Sequence, residues 1–211
     1  MKFDEFVRIF GSLPVIETEN LFTGGLRASV KVQISRWEHS GKIIQLKRGI
    51  YVLAEPYRKV EAYEPFVASI LKRPSYLSLE KALEYYNLIP EGVPAYTSVT
   101  TKRPAKFISP LGSFDYRHID VSLFWGYDSV MVNKQTAFVA SPEKALLDLV
   151  YLKAKEISLD YLEGLRLQGV ERIRLKRLFE YAKRFEKPKM LRAASMIRKY
   201  TRSYSHKEKI L

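Results

Sequence analysis

The sequence predicts an α+β protein, and three observations carry that expectation. Residues 27–53 read as one amphipathic helix followed by a short hairpin. Between Ala95 and Val139 the pattern turns to short β-prone runs separated by Pro, Gly and Asp. Beyond Ser158 the periodicity is helical only. The expected division is a first domain over residues 1–56 and a mixed α/β domain over 57–211. The second ends in basic helices at about residues 158–202.

In the first part, Phe3, Phe6, Val7 and Phe10 make an apolar stripe on a short helix ended by Gly11 and Pro14. Val15 to Phe22 is expected to form a second short helix, with Ile16, Leu21 and Phe22 inward and Thr23-Gly24-Gly25 as the turn after it. Val30, Ile34 and Trp37 fall at i, i+4 and i+7, so a third helix buries that face. Ser29 is placed to cap it and Gly41 to stop it. Its other faces carry Lys31, Gln33, Ser35, Arg36 and His39. Ile43–Leu46 and Ile50–Leu53 are strands joined by Lys47, Arg48 and Gly49, where a tight turn needs the positive φ that glycine tolerates. Helix, helix, turn, cationic helix, cationic hairpin is the order of a winged helix-turn-helix. In that motif the helix reads DNA in the major groove and the hairpin tip meets the backbone. The expected contacts are therefore Lys31, Gln33, Ser35, Arg36, His39, Lys47 and Arg48, on double-stranded DNA. The plainer alternative is a small α+β unit with a solvated turn, or a unit that docks protein rather than DNA.

Charge agrees with an anionic partner. The 211 residues carry a formal net charge of +13. Residues 1–60 hold ten basic and six acidic side chains, 61–150 nine and ten, and 151–211 seventeen and seven. The excess thus sits at both ends and the middle is near neutral. Arg172, Arg174, Lys176 and Arg177 begin a cationic run in the last third, expected either to touch DNA backbone, to dock a partner, or simply to face water.

In the second part, Pro65 starts a helix with Val67, Ile70 and Leu71 in register. Ser78 or Ser75 caps another, with Leu79, Ala82, Leu83 and Tyr86 on one face. Strands are expected at 95–101, 106–109, 114–119, 121–125, 129–132 and 135–139, with Val132-Asn133-Lys134 as a hairpin tip. Ser141-Pro142-Glu143 opens a helix by cap, N1 proline and first-turn acid. Three helices follow. The last starts at Pro188 with Leu191, Ala194, Met196 and Ile197 inward, and frays from Ser203.

Three stretches in series resemble the AbiEi-type antitoxins, transcriptional regulators of type IV toxin–antitoxin and phage-defence operons. They are the winged-helix unit ending in SGKIIQLKRGIYVL, then PSYLSLEKALEYYNLIP running into AYTSVTTKRP, then VASPEKALLDLVYL, and together they span residues 1 to about 155. The resemblance implies a repressor that binds inverted repeats in its own promoter through the helix and hairpin residues named above. It also implies a second domain that opposes a nucleotidyltransferase-like toxin.

Other chemistries find little footing. The chain has no Cys, and its three His (39, 118 and 206) lack metal-ligand spacing, so no metal or cofactor is expected. There is no phosphate-binding glycine loop, no GxSxG and no HExxH, so no catalysis is expected. Asp115, Asp120 and Asp128 invite a metal-nuclease reading, but each fits a turn or strand end. Tyr85, Tyr86, Tyr96 and Tyr116 would have to leave the core to stack on RNA bases. The opening MKFDEFVRIF lacks a signal-peptide run, and no segment is long and apolar enough to span a bilayer, so a cytoplasmic protein without a membrane partner is expected.

Overall fold

The computed structural model describes residues 1–19, 28–153 and 157–208, and the fold is mixed α+β with two sheets. In the N-terminal unit, helix α1 (Phe3–Phe10) buries Phe3 and Phe6. Helix α2 (Ala28–His39) buries Val30, Ile34 and Trp37, the face its periodicity predicts. Phe6 and Phe3 meet Trp37 at ring-centroid distances of 4.8 and 5.3 Å, and this aromatic contact locks α1 to α2. Gly41 ends α2 at φ +69°: its N–H donates to the Glu38 carbonyl and the Lys42 N–H to that of Trp37. Ser29 lies inside the helix, which already begins at Ala28, so it is not the residue before the first turn.

Strands β2 (Ile43–Lys47) and β3 (Ile50–Leu53) pair as the expected hairpin, with a register shift between Gln45 and Lys47. Gly49 sits at φ +84°, and a Cβ there would lie 3.1 Å from Thr18 Oγ1, so the tip is shaped for glycine. One expectation fails in part here. Residues 16–17 are not helical but form a strand, β1 (Ile16–Glu17), antiparallel to β3, whereas residues 18–19 of the expected helix are helical. The reason is the free edge of β3: Ile16 and Glu17 pair with its backbone, and β-branched Val15 and Ile16 are buried beside it. The expected inward Leu21 and Phe22 and the Thr23-Gly24-Gly25 turn lie outside the described residues.

Past a cis Glu55–Pro56 peptide, helix α3 (Glu64–Leu71) carries its proline at the N-terminus. A six-stranded mixed sheet follows, built from β4 (Ser75–Leu77), β5 (Ala95–Thr100), β6 (Ala105–Ser109), β7 (Gly112–His118), β8 (Tyr127–Val132) and β9 (Gln135–Ala140). Its spatial order is β6-β7-β5-β4-β9-β8, with β4 parallel to β9, β5 parallel to β7 and the remaining neighbours antiparallel. The β8–β9 hairpin turns at Asn133 and Lys134, both at positive φ, as primed turns require.

Two expectations about this sheet need correction. Ser75 is a strand residue, because it pairs with Thr100 of β5 as the start of β4, whose Leu77 also pairs with Val139 of β9. Residues 121–125 do not make a strand: Val121–Leu123 is a 3-10 turn whose first N–H groups are taken by Asp120, which accepts from Ser122 N at 2.8 Å.

Helices α4 (Leu79–Tyr85), α5 (Pro142–Leu152), α6 (Leu159–Gly164), α7 (Leu175–Arg184) and α8 (Pro188–Glu208) share one core with the sheet. Ser141 caps α5 as expected, accepting from Lys144 N. In α8 the buried stripe is Met190, Ala193, Ala194 and Ile197, whereas Leu191 is 39% exposed. The inward set begins one residue earlier than predicted, which keeps Leu191 outside the stripe at helical spacing. The helix also continues to Glu208 instead of fraying at Ser203.

Buried residues form three clusters. One belongs to the N-terminal unit and one to the sheet with its C-terminal helices. The third bridges residue 56: Val15, Leu46, Ile50 and Val52 pack with Val67, Leu71, Phe114 and Tyr116. Arg73 makes two bonds to Glu17 across the same junction, at 2.6 and 3.0 Å. Apolar packing therefore runs without interruption from the hairpin into the second part of the chain.

Candidate nucleic-acid interface

Helix α2 and the hairpin enclose an open groove of about 770 Å³. Lys31, Ser35 and Glu38 line it from the helix, and Gln45, Arg48 and Tyr51 from the hairpin. At about 100° per residue the helix sorts its polar positions into three sets. Lys31 and Ser35 lie on the groove flank. Arg36 and His39 stand on the fully outward face beside an exposed Val32. Gln33 falls beside Trp37 on the opposite flank and is half-buried. The structure thus brings Lys31, Ser35 and Arg48 to one groove, places Arg36 and His39 next to them, and leaves Gln33 aside.

Local bonds shape this surface. The Gln45 amide donates to Tyr51 Oη at 2.8 Å, so Gln45 is held within the hairpin. His39 Nδ1 lies 2.7 Å from the Ser35 carbonyl and is tied to its own helix. Arg48, at the tip, is exposed. Neither Arg36 nor Arg48 makes an ion pair among the described residues.

Lys47 departs from expectation. It does not project from the tip as a solvent-facing cation. It is half-buried, its ammonium donates to the Leu71 carbonyl at the end of α3 at 2.9 Å, and it lies 5.3 Å from the centre of the Phe107 ring. The register shift beside it turns the side chain toward the second part of the chain, where a helix C-terminus offers unsatisfied carbonyls to a cation.

The four C-terminal candidates are also divided. Arg172 donates to the Tyr86 carbonyl at 2.5 Å. Arg177 is half-buried, donates to Tyr181 Oη at 2.9 Å, lies over that ring, and sits 3.7 Å from Glu143 and 3.9 Å from Asp128. Both are therefore bonded to the protein itself, although Arg172 stays exposed. Arg174 and Lys176 remain exposed. The helices that carry them pack in the core formed with the sheet, whereas α2 packs in the separate N-terminal core.

The carboxylates weighed for a nuclease do not converge. Asp115 pairs with Arg117 at 2.9 Å, Asp120 caps its own turn, and Asp128 faces Arg177. Hydrogen bonds from Ser122 hold the Asp120 carboxyl below its ordinary range. Among the described residues no group of three His, Asp or Glu side chains is placed to hold a metal, and no helix is long and apolar enough to cross a membrane. Tyr116 is fully buried, and Tyr96 stacks on Phe114.

Sequence reasoning overlooked one polar cluster. Lys144 and Asp148, four residues apart on α5, are both fully buried and bonded to each other. Asp148 also accepts from Tyr76 Oη at 2.9 Å and Ser78 Oγ at 2.8 Å, and Lys144 donates to Tyr76 Oη at 3.0 Å. Burial pushes the Asp148 carboxyl up and the Lys144 ammonium down, while each partner favours the other's charge. Ser78 thus gives its hydroxyl to Asp148 and makes no side-chain cap on α4. The visible signal was a Lys and an Asp at i, i+4 inside a mostly apolar helix. These bonds tie β4 and the residue that opens α4 to α5. Compared with known proteins, the chain matches no family model and no curated protein sequence.

Proposed function

We propose that the chain is a DNA-binding transcriptional repressor whose N-terminal unit acts as a winged helix-turn-helix. The observation that carries the reading is the shared placement of Lys31, Ser35 and Arg36 on the solvent side of α2 with Arg48 at the tip of the adjoining hairpin. A helix of that size fits a major groove, and a cationic tip beside it meets the flanking backbone. Arg36 is the candidate for base contact, and Arg48 the candidate for phosphate.

The resemblance to AbiEi-type antitoxins supports the more specific reading. In it the repressor is a cytoplasmic antitoxin of a type IV pair, acts on inverted repeats in its own promoter, and opposes a nucleotidyltransferase-like toxin. No catalytic role is assigned. The test is fluorescence anisotropy of the full chain on duplex DNA from upstream of its own gene, against a random duplex, at two salt concentrations. Tighter binding to the upstream duplex, weakening as salt rises, supports the repressor. Equal affinity for both sequences removes operator recognition. No binding to either, with protection of cells from the neighbouring toxin retained, assigns the chain to toxin neutralisation by protein contact.

A further inference from the structure

A second cationic site lies behind the hairpin, where the N-terminal unit meets the rest of the chain. A cleft of about 270 Å³ is bounded by the hairpin tip, the end of α3 and the residues after β5. Lys47, Arg48, Lys72, Arg73 and Lys102 line it, together with the carboxylates of Glu17 and Glu19. Glu17 is taken up by the two bonds from Arg73. That leaves four cations against Glu19. The C-terminus of α3 accounts for one of them, because Lys47 donates to the Leu71 carbonyl. It does not account for Lys72 and Lys102, neither of which makes an ion pair among the described residues. Burial and the nearby Lys47 and Lys102 push the Lys72 ammonium below its ordinary value, so the like charges act on one another. Cations held this close repel unless an anion enters among them.

We propose that this cleft takes a phosphate of the DNA backbone, held by Lys72 and Lys102 with Arg48 at its mouth. The proposal rests on the DNA-binding reading above. Arg48 lines both the recognition groove and this cleft, so a strand passing the hairpin tip on one side is in reach of the other. The consequence is that the second part of the chain adds backbone affinity through the junction, not through the C-terminal helices. Bonds to phosphate position a duplex without reading its sequence, so the effect should be the same on any duplex.

The test is the salt dependence of duplex binding by the full chain carrying Lys72→Gln and Lys102→Gln, between about 50 and 200 mM salt. The slope of log affinity against log salt should fall by about 0.9 for each phosphate no longer neutralised, on operator and random duplex alike. Lys72→Arg with Lys102→Arg should restore the slope, which a structural role for the lysine stems would not do. If the Gln variant keeps the native slope while Arg36→Ala loses operator affinity, the cleft is overturned and the repressor reading stands. If the native chain binds no duplex, both fall.

Discussion

Two regions of this chain are rich in cations, and the fold uses them in opposite ways. Around α2 and the hairpin, Arg36 and Arg48 stand in solvent without ion pairs among the described residues. In the C-terminal helices much of the charge is laid over the protein's own rings. Arg184 lies 4.3 Å from the centre of Trp125, Arg198 4.9 Å from Phe179 and Lys187 4.6 Å from Tyr151. Arg172 and Arg177 are bonded inward as well. Net charge counts both regions equally, but a guanidinium stacked on an aromatic ring is less available to an external phosphate than one in open water. The denser run, after residue 150, is therefore the weaker candidate for DNA.

The contrast is broken most severely by removing what holds each region together. Trp37→Ala should cost about 3–5 kcal/mol, because Trp37 joins α1 to α2. Denaturant unfolding should show the loss, and operator binding should go with it. In the other region, Asp148→Ala should cost about 3–5 kcal/mol by leaving the Lys144 ammonium buried without its carboxylate. The paired change Lys144→Met with Asp148→Leu should recover most of that in the same melts. A double variant as unstable as the single would show that the Tyr76 and Ser78 bonds, not the charge, set the cost.

Smaller changes sharpen the comparison. Arg36→Ala should weaken operator binding by about 1–3 kcal/mol if the side chain reaches a base, while sparing random DNA. Lys47→Ala should instead lower stability by about 1–2 kcal/mol, since it removes a charged hydrogen bond to the end of α3. If Lys47→Ala reduced DNA affinity without any change in melting, its half-buried position would not describe its role.

Alkali probes the sheet side. Burial raises Tyr86 and Tyr96 to about 12, so their stabilising contribution is full below the ordinary tyrosine value and is lost as the pH rises toward 12. Tyrosinate absorbance should lag that of the unfolded chain over this window. Coincident titration curves would deny the burial. The smallest effect is expected for Arg174→Gln with Lys176→Gln, which should leave duplex affinity and its salt slope nearly unchanged. A drop in slope matching that of the junction lysines would reverse the ranking of the two regions.

Much of the architecture was legible because it rests on local rules. Val30, Ile34 and Trp37 recur at helical spacing, Gly49 can only be a turn, and Ser141-Pro142-Glu143 can only open a helix. These signals need no knowledge of what lies opposite. Misreadings occurred where a distant element supplied the partner. Ile16 is helical or extended by its own preferences, and the open edge of β3 decides the matter. Residues 121–125 have strand composition, yet Asp120 claims the backbone first.

The candidate site divides along the same line. The sequence alone determined that α2 has one apolar face and that cations occupy the others, since a helix with so regular a stripe must bury it. It also determined the hairpin and its tip. Only the tertiary structure decided which cations are left for a partner. Lys47 and Arg48 are neighbours in the chain, but the register shift sends one to the end of α3 and leaves the other in water. Likewise Lys72 and Lys102, thirty residues apart and without any shared motif in the sequence, come to one cleft because α3 and β5 both end there. A residue's type sets its charge. What that charge can still bind depends on neighbours that only folding brings near.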